Sequence, residues 1–233
     1  MSGTRPPRLS IIVPCLNEAE SIEYALDALA PLRARSAEVI VVDGGSADGT
    51  PDIAERGADL VVRSERGRAI QMNRGAACAR GEILLFLHAD TRLPQQADAL
   101  VIDGLARTGR AWGRFDVRLA GTHLLFPVIG AAMNVRSRLT GIATGDQAIF
   151  VERTLFQRVG GYPPIGLMED LALSAMLKKH GPPLCLQAKV DTSARRWEKH
   201  GVVRTMVLMW RLRLAYRLGA NPDELAMRYA PHR

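Results

Sequence analysis

Leu9-Ser-Ile-Ile-Val-Pro-Cys-Leu-Asn-Glu18 is the stretch whose reading decides the fold. Leu9 to Val13 is a short, nearly continuous apolar run halted by Pro14, the pattern of a strand buried on both faces. Working outward, Ile22, Ala25, Leu26 and Leu29 recur at helical spacing, and Pro31 is expected to close that helix. A second strand, Val39-Ile-Val-Val42, ends at Asp43 and runs into the turn-rich Gly44-Gly-Ser-Ala-Asp-Gly-Thr50. A helix through Ile53, a strand Leu60-Val-Val62, a helix over Gly67 to Arg80 and a strand Ile83-Leu-Leu-Phe-Leu87 follow, the last entering His88-Ala-Asp90. Doubly buried strands alternating with helices predict an α/β fold, a mostly parallel sheet with helices on both faces. Such sheets bind ligands beyond the carboxyl ends of their strands. Asn17-Glu18, Asp43 and His88-Ala-Asp90 all sit there.

The second half is less regular. Trp112 to Leu119 alternates as a strand, and His123 to Thr140 is a mostly apolar helical stretch. Gly145-Asp-Gln147 precedes a strand-like Ala148-Ile-Phe-Val151; Gly160-Gly-Tyr-Pro-Pro164 is a loop, and Glu169 to His180 a helix opened by two carboxylates. With no repeat and no linker composition, one domain is expected over residues 1–233. Its parts would be a regular strand–helix half near 9–90, a less regular half over 91–200 and a basic helix and tail over 201–233.

At 47% hydrophobic and 24% charged residues, the composition is that of a globular protein. Cys15, Cys78 and Cys185 lack metal-site spacing and lie in apolar stretches, so reduced thiols in a cytoplasmic protein are expected. The N-terminal apolar run is too short for a secretory leader. The most apolar long stretch, Val202 to Leu218, is interrupted by Arg204, Arg211, Arg213 and Arg217, so no membrane span is expected. The net charge of +7 is concentrated at the end: Arg195 to Arg233 holds nine Lys or Arg against three Asp or Glu. An anionic partner follows, either a diphosphate or peripheral contact with an anionic inner membrane surface. The competing reading of this segment is core packing with snorkelling arginines. Nucleic acid is disfavoured, because aromatic-interleaved basic motifs and zinc spacings are absent from the sequence.

Pro14-Cys-Leu-Asn-Glu18 carries no glycine-rich turn, which argues against nicotinamide enzymes and sugar nucleotidyltransferases. Five segments instead form an ordered series: Ile11-Ile-Val-Pro-Cys-Leu-Asn-Glu18; Val41-Val-Asp-Gly-Gly-Ser-Ala-Asp-Gly-Thr50; Arg66-Gly-Arg-Ala-Ile-Gln-Met-Asn-Arg-Gly75 with Ala79-Arg-Gly81; Phe86-Leu-His-Ala-Asp90; and Gly160-Gly-Tyr162 with Met168-Glu-Asp170. Over about residues 9 to 200 this series resembles the family 2 glycosyltransferases, which have the GT-A fold. Their V-P-x-x-N-E turn, V-D-D-G-S-x-D-G-T turn, D-x-D strand and E-D motif come in the same order. His88-Ala-Asp90 and Arg195-Arg-Trp-Glu-Lys-His-Gly201 further resemble a short bacterial branch linked to arsenosugar biosynthesis.

The resemblance implies an inverting, metal-dependent transfer of a sugar from a nucleoside diphosphate sugar, UDP-sugar favoured, to a hydroxyl acceptor. Alternatives are a polyprenyl-phosphate sugar synthase at the membrane surface and a non-catalytic nucleotide-sugar binder. The resemblance makes 9–90 the nucleotide-binding half and 91–200 the acceptor-side half, and it sets Pro14, Asn17, Glu18 and Asp43 along the nucleotide, with Asp43 against uracil. Read from the residues alone, Asn17 and Glu18 equally suit a helix cap and Asp43 a turn. Arg68 suits a diphosphate or a solvated helix face, and Asn73 serves the same donor side as a buttress. Asp90 would hold Mn2+ or Mg2+ beside Ala89. His88 replaces the first Asp of D-x-D, and as a metal ligand it would favour manganese; contact with ribose or sugar, or plain packing, are its other readings. Asp170 would be the general base, with Asp146, Gln147 and Glu169 framing the acceptor. Glu169 and Asp170 also suit the positive end of a helix. Arg195 and Arg196 would face the diphosphate and Trp197 the acceptor.

Overall fold

β1 (Leu9–Cys15), β2 (Glu38–Asp43), β3 (Leu60–Arg63) and β4 (Ile83–Phe86) alternate with α1 (Ala19–Ala34), α2 (Thr50–Ala54) and α3 (Arg68–Cys78). The structure is a computed structural model that describes residues 7–229. Then come β5 (Thr91–Arg92), α4 (Ala97–Thr108), β6 (Trp112–Ala120), α5 (Phe126–Thr140), a 3-10 turn (Gly145–Gln147), β7 (Phe150–Glu152), α6 (Arg153–Arg158) and α7 (Glu169–Lys178). β8 (Leu184–Ser193), α8 (Arg195–His200), α9 (Val202–Arg217) and α10 (Pro222–Tyr229) complete the described chain.

All eight strands join one sheet in the order β3-β2-β1-β4-β7-β6-β8-β5. The expected parallel pairing holds for β3-β2-β1-β4 and for β6 with β8. β7 runs antiparallel to β4 and β6, and β5 to β8, so the whole sheet is mixed. Successive strand residues feed opposite cores. Ile11, Val13, Val39 and Val41 face α1, α4 and α5, while Ile12, Ile40, Val42, Leu84 and Phe86 face α3, α6 and α7. Gly75 lets α3 lie flat on the sheet; a Cβ there would stand 2.5 Å from Ile12 Cγ2.

Two readings need correction. Pro31 does not close the first helix but sits inside its last turn. It removes one backbone donor there, and burial of Leu32, 1% exposed, carries the helix to Ala34. The other concerns β8, which the sequence reading left unassigned although Leu186, Val190 and Thr192 alternate inward. Only one face of β8 is buried, so its apolar run is broken by Gln187, Lys189 and Asp191.

A third cluster, Leu167, Met168, Leu212, Leu225 and Tyr229, fastens α9 and α10 to the loop before α7. Among the described residues, no helix is long and apolar enough to cross a membrane, and Cys15, Cys78 and Cys185 are free thiols. Burial pushes the Cys15 thiol up to about 12, reinforced by the charge of Asp43, so it stays protonated and inert.

Candidate active site

The chain adds β2 and β3 on one side of β1 and then returns to place β4 on the other. A crevice opens beyond the carboxyl ends of β1 and β4, where the winding reverses. It is a cavity of about 730 Å³. Pro14, Asn17 and Glu18 enter it from the end of β1, His88, Ala89 and Asp90 from the end of β4, and Arg68 from the first turn of α3.

The turn after β1 is braced by its neighbour. Asn17 takes a left-handed backbone (φ 53°), its N–H donates to Ser46 Oγ, and its Oδ1 accepts from Ala47 N–H. Asp48 accepts the N–H of Ala19 at 3.0 Å, so the first helix is capped from the facing loop and not by Asn17 or Glu18. Glu18 instead accepts from Ser21 Oγ at 2.6 Å and lies 3.9 Å from Arg195 Nη2, which brings the end of β8 over the turn.

Two polar contacts cross from the β1–β4 edge of the cavity to the other half. His88 Nδ1 lies 3.4 Å from Asp146 Oδ1, and Arg68 Nη1 lies 3.5 Å from Glu169 Oε1. Burial opposes the charge on half-buried Asp146, but the bond from His88 and the charges of Arg196 and Arg68 hold it well below the usual carboxylate range. Burial also works against Arg68, which Glu169, Asp146 and Asp170 nonetheless keep firmly charged. Glu169 is 3% exposed; burial raises its pKa, Asp170 adds to the rise, and Arg68 opposes it.

Asp170 lines the cavity from the first turn of α7. Its Oδ2 accepts from Gly145 N–H at 2.7 Å and its Oδ1 from Leu171 N–H at 2.8 Å. Two fixed donors orient the carboxylate while lone pairs on both oxygens remain available for a proton. Just before it, Met168 sits in the left-handed region (φ 70°). That costs about 1–3 kcal/mol in a non-glycine residue, and packing against Leu167, Leu212 and Leu225 holds it there.

Trp197 and Arg196 also line the cavity; Arg196 donates to the Tyr229 hydroxyl and lies over its ring, 5.1 Å from the centroid. Two residues expected to touch ligand, Asp43 and Gln147, stand behind the wall, as does Asn73. Asp43 is 1% exposed and accepts from the N–H groups of Gly45 and Ser46, the geometry of a turn. It ends β2, one strand removed from the crevice between β1 and β4. Asn73 accepts the N–H of Tyr162 and donates to its carbonyl, so it ties α3 to the Gly160–Tyr162 loop as a buttress. Gln147 is fully buried among Asn134, Ser137 and the Thr144 N–H, where the acceptor-framing role has no access to the cavity.

Among the described residues, no three His, Cys, Asp or Glu side chains converge as a metal cage. Asp90 is exposed, and Thr91 Oγ1 contacts its carboxylate at 3.4 Å. This donor set fits a divalent cation carried in with a diphosphate, which needs only one or two protein carboxylates. His88 is 14% exposed along its side chain, and its ring lies against Asp146 and Gly145.

Sequence reasoning missed Gln71, Arg136 and Arg213. Gln71 Nε2 donates to the carbonyls of Cys15 and Val42, locking the ends of β1 and β2, and it lies one helical turn beyond Arg68. Arg136 and Arg213 reach the cavity from α5 and α9, in stretches where arginine looked like surface.

The family model described as glycosyl transferase family 2 matches residues 10–156. A PGL/p-HBAD biosynthesis glycosyltransferase of Mycobacterium tuberculosis is 33% identical over 171 residues, 67% of this chain and 63% of the relative. The chain thus spans less than two thirds of that curated relative. Among solved structures, the mannosyltransferase PcManGT of Pyrobaculum calidifontis, in complex with GDP-Man and Mn2+, is 26% identical with a TM-score of 0.66. The match covers 97% of this chain and 70% of that one. TarS of S. aureus in complex with UDP-GlcNAc gives a TM-score of 0.66 at 19% identity, covering 80% of this chain and 58% of that one. The fold is of the GT-A type.

Proposed function

The chain belongs to glycosyl transferase family 2, and from that membership we propose that it moves a sugar from a nucleoside diphosphate sugar to a hydroxyl acceptor with inversion. One observation carries the reading: a single cavity gathers Pro14, Asn17, Glu18, Arg68 and Asp90 from the donor edge and Asp170 from the opposite half. The diphosphate would lie along Arg68 and the Asn17-Glu18 turn. A cation on Asp90 would offset the charge that grows on the leaving diphosphate. Asp170, steadied by Gly145 and Leu171 N–H groups, would take the proton from the attacking hydroxyl. Arg195 and Arg196, at the end of β8, would close over the diphosphate. Single-step attack from the side facing Asp170 inverts the anomeric carbon.

Within this reading the donor is a UDP-sugar. The neighbour TarS was solved with UDP-GlcNAc, while the mannosyltransferase carries GDP-Man, so the base is the feature to test. In a thermal-shift screen, UDP should raise the melting temperature more than GDP or ADP, and manganese should enlarge the rise. Equal shifts for all three, indifferent to metal, would remove the base-specific donor site. A peripheral membrane contact is favoured by one observation: Val203, Val207, Trp210, Leu214 and Leu218 stand exposed among the arginines of α9. Flotation with anionic vesicles, lost on Trp210→Ser, is the expected result.

A further inference from the structure

Arg136 and Arg213 line the cavity, and neither side chain has a hydrogen-bond or ion-pair partner among the described residues. Nε and Nη2 of Arg136 and Nε of Arg213 are buried with no hydrogen-bond acceptor, and among the described residues no ion pair includes either side chain. Arginines elsewhere differ: Arg33, Arg35, Arg80 and fully buried Arg114 each hold a carboxylate. Burying an unpaired guanidinium is costly, so a site that keeps two of them is complete only when a ligand brings the acceptors. Burial pushes Arg136 down to about 10, and the like charge of Arg213 adds to the fall. Arg213 is lowered as well, chiefly by burial. Each also feels the opposing charges of Asp170 and Asp146, which puts the pair on the acceptor side of the cavity.

The surrounding wall is apolar, formed by Ile129, Met133, Met206, Met209 and Trp210. Three buried guanidinium nitrogens lack an acceptor, and because Nη2 carries two hydrogens they hold four unmet N–H bonds. A carboxylate has two oxygens to meet them, whereas a phosphate monoester has three, arranged around one centre that two guanidinium forks can grip. We propose that Arg136 and Arg213 form an oxyanion subsite that binds a phosphate group on the acceptor, holding its hydroxyl toward Asp170. This deepens the transferase reading and rests on it: the acceptor is a phosphorylated hydroxyl compound.

The test is calorimetric titration of methyl phosphate into the protein saturated with UDP and Mg2+. Wild type should bind methyl phosphate with UDP already in place. Arg136→Gln and Arg213→Gln should each weaken it about tenfold to a hundredfold, the range for hydrogen bonds to a charged group, with UDP affinity unchanged. Arg136→Lys should keep part of the binding. Because neither arginine has a partner among the described residues, the glutamine variants should melt no lower than wild type. Methyl phosphate binding that is absent, displaced by UDP or indifferent to both substitutions would overturn the subsite, as would a large drop in melting temperature. Failure of UDP to bind would instead sink the transferase reading, since methyl phosphate titrated into the nucleotide-free protein still reports on the arginines. Vesicles of phosphatidic acid against phosphatidylcholine separate the sources. Vesicle binding lost in the double variant marks a lipid-borne phosphate, methyl phosphate binding without vesicle binding marks a soluble one, and either upholds the subsite.

Discussion

Replacing Asp170 with asparagine separates chemistry from structure, because the geometry sets the size of both effects. In the native site each carboxylate oxygen accepts a backbone N–H, from Gly145 at 2.7 Å and from Leu171 at 2.8 Å. Asparagine keeps one acceptor and turns its NH2 against the other donor. The lost bond and the unsatisfied N–H should cost about 1–3 kcal/mol. For a chain of this length that is a melting temperature lower by about 2–12 °C. Loss of the base should slow transfer by about 10²–10⁴, equivalent to about 2.7–5.4 kcal/mol of activation free energy. The two effects are read apart by working well below the variant's melting temperature. Release of UDP from a UDP-sugar, with an extract of the source cells supplying acceptor, gives the rate. Calorimetric titration of UDP gives the donor affinity, which should stay unchanged because the lost interaction belongs to the transition state. Transfer at the wild-type rate would refute the base assignment. Loss of UDP binding would refute it differently, by moving Asp170 to the donor side.

Asp90→Ala should abolish the manganese-dependent part of UDP binding, whereas His88→Asp should keep activity; metal-dependent binding equal to wild type in Asp90→Ala would put the cation elsewhere. Gly145→Ala places a Cβ 2.5 Å from His88 Nε2. Overpacking should cost about 1–3 kcal/mol, and adding His88→Ala should recover most of it; additive losses in melting temperature would show the clash is not the cause. Glu38 is 4% exposed, and although burial opposes its ionisation, bonds from Ser10 and Arg80 hold its pKa below the ordinary carboxylate value. A depressed folded pKa stabilises above the unfolded value of about 4.3 and loses that stability as pH falls through the folded one. Glu38→Gln should therefore lower stability at neutral pH and flatten its decline below about pH 4.3; an unchanged acid slope in denaturant melts counts against this.

Local pattern was enough for the first four strands and the residues at their ends, because a strand buried on both faces must be apolar throughout and its turn must carry the ligand chemistry. Resemblance to an ordered series of family motifs is what named Pro14, Asn17, Glu18, Arg68, His88, Asp90 and Asp170, and all of them do line one cavity. What pattern could not supply is which side of the wall a polar residue occupies. Asp43 and Gln147 are polar residues beside candidate ligand contacts, yet backbone N–H groups claim the first and buried polar groups the second. For Gln147 that depends on Asn134 and Ser137 of another helix, and for Asp43 on β2 lying one strand away from the crevice. β8 escaped notice because one-sided burial leaves a weak alternation, and Arg136 and Arg213 because a charged residue on a helix reads as solvent-facing. Only packing of α5 and α9 against the α7 side of the crevice turned those two charges inward. Sequence alone therefore determined the family and the β1–β4 edge of the cavity, where residue chemistry and strand order coincide. The tertiary structure decided the opposite wall, where charge meets charge only after distant helices close around it.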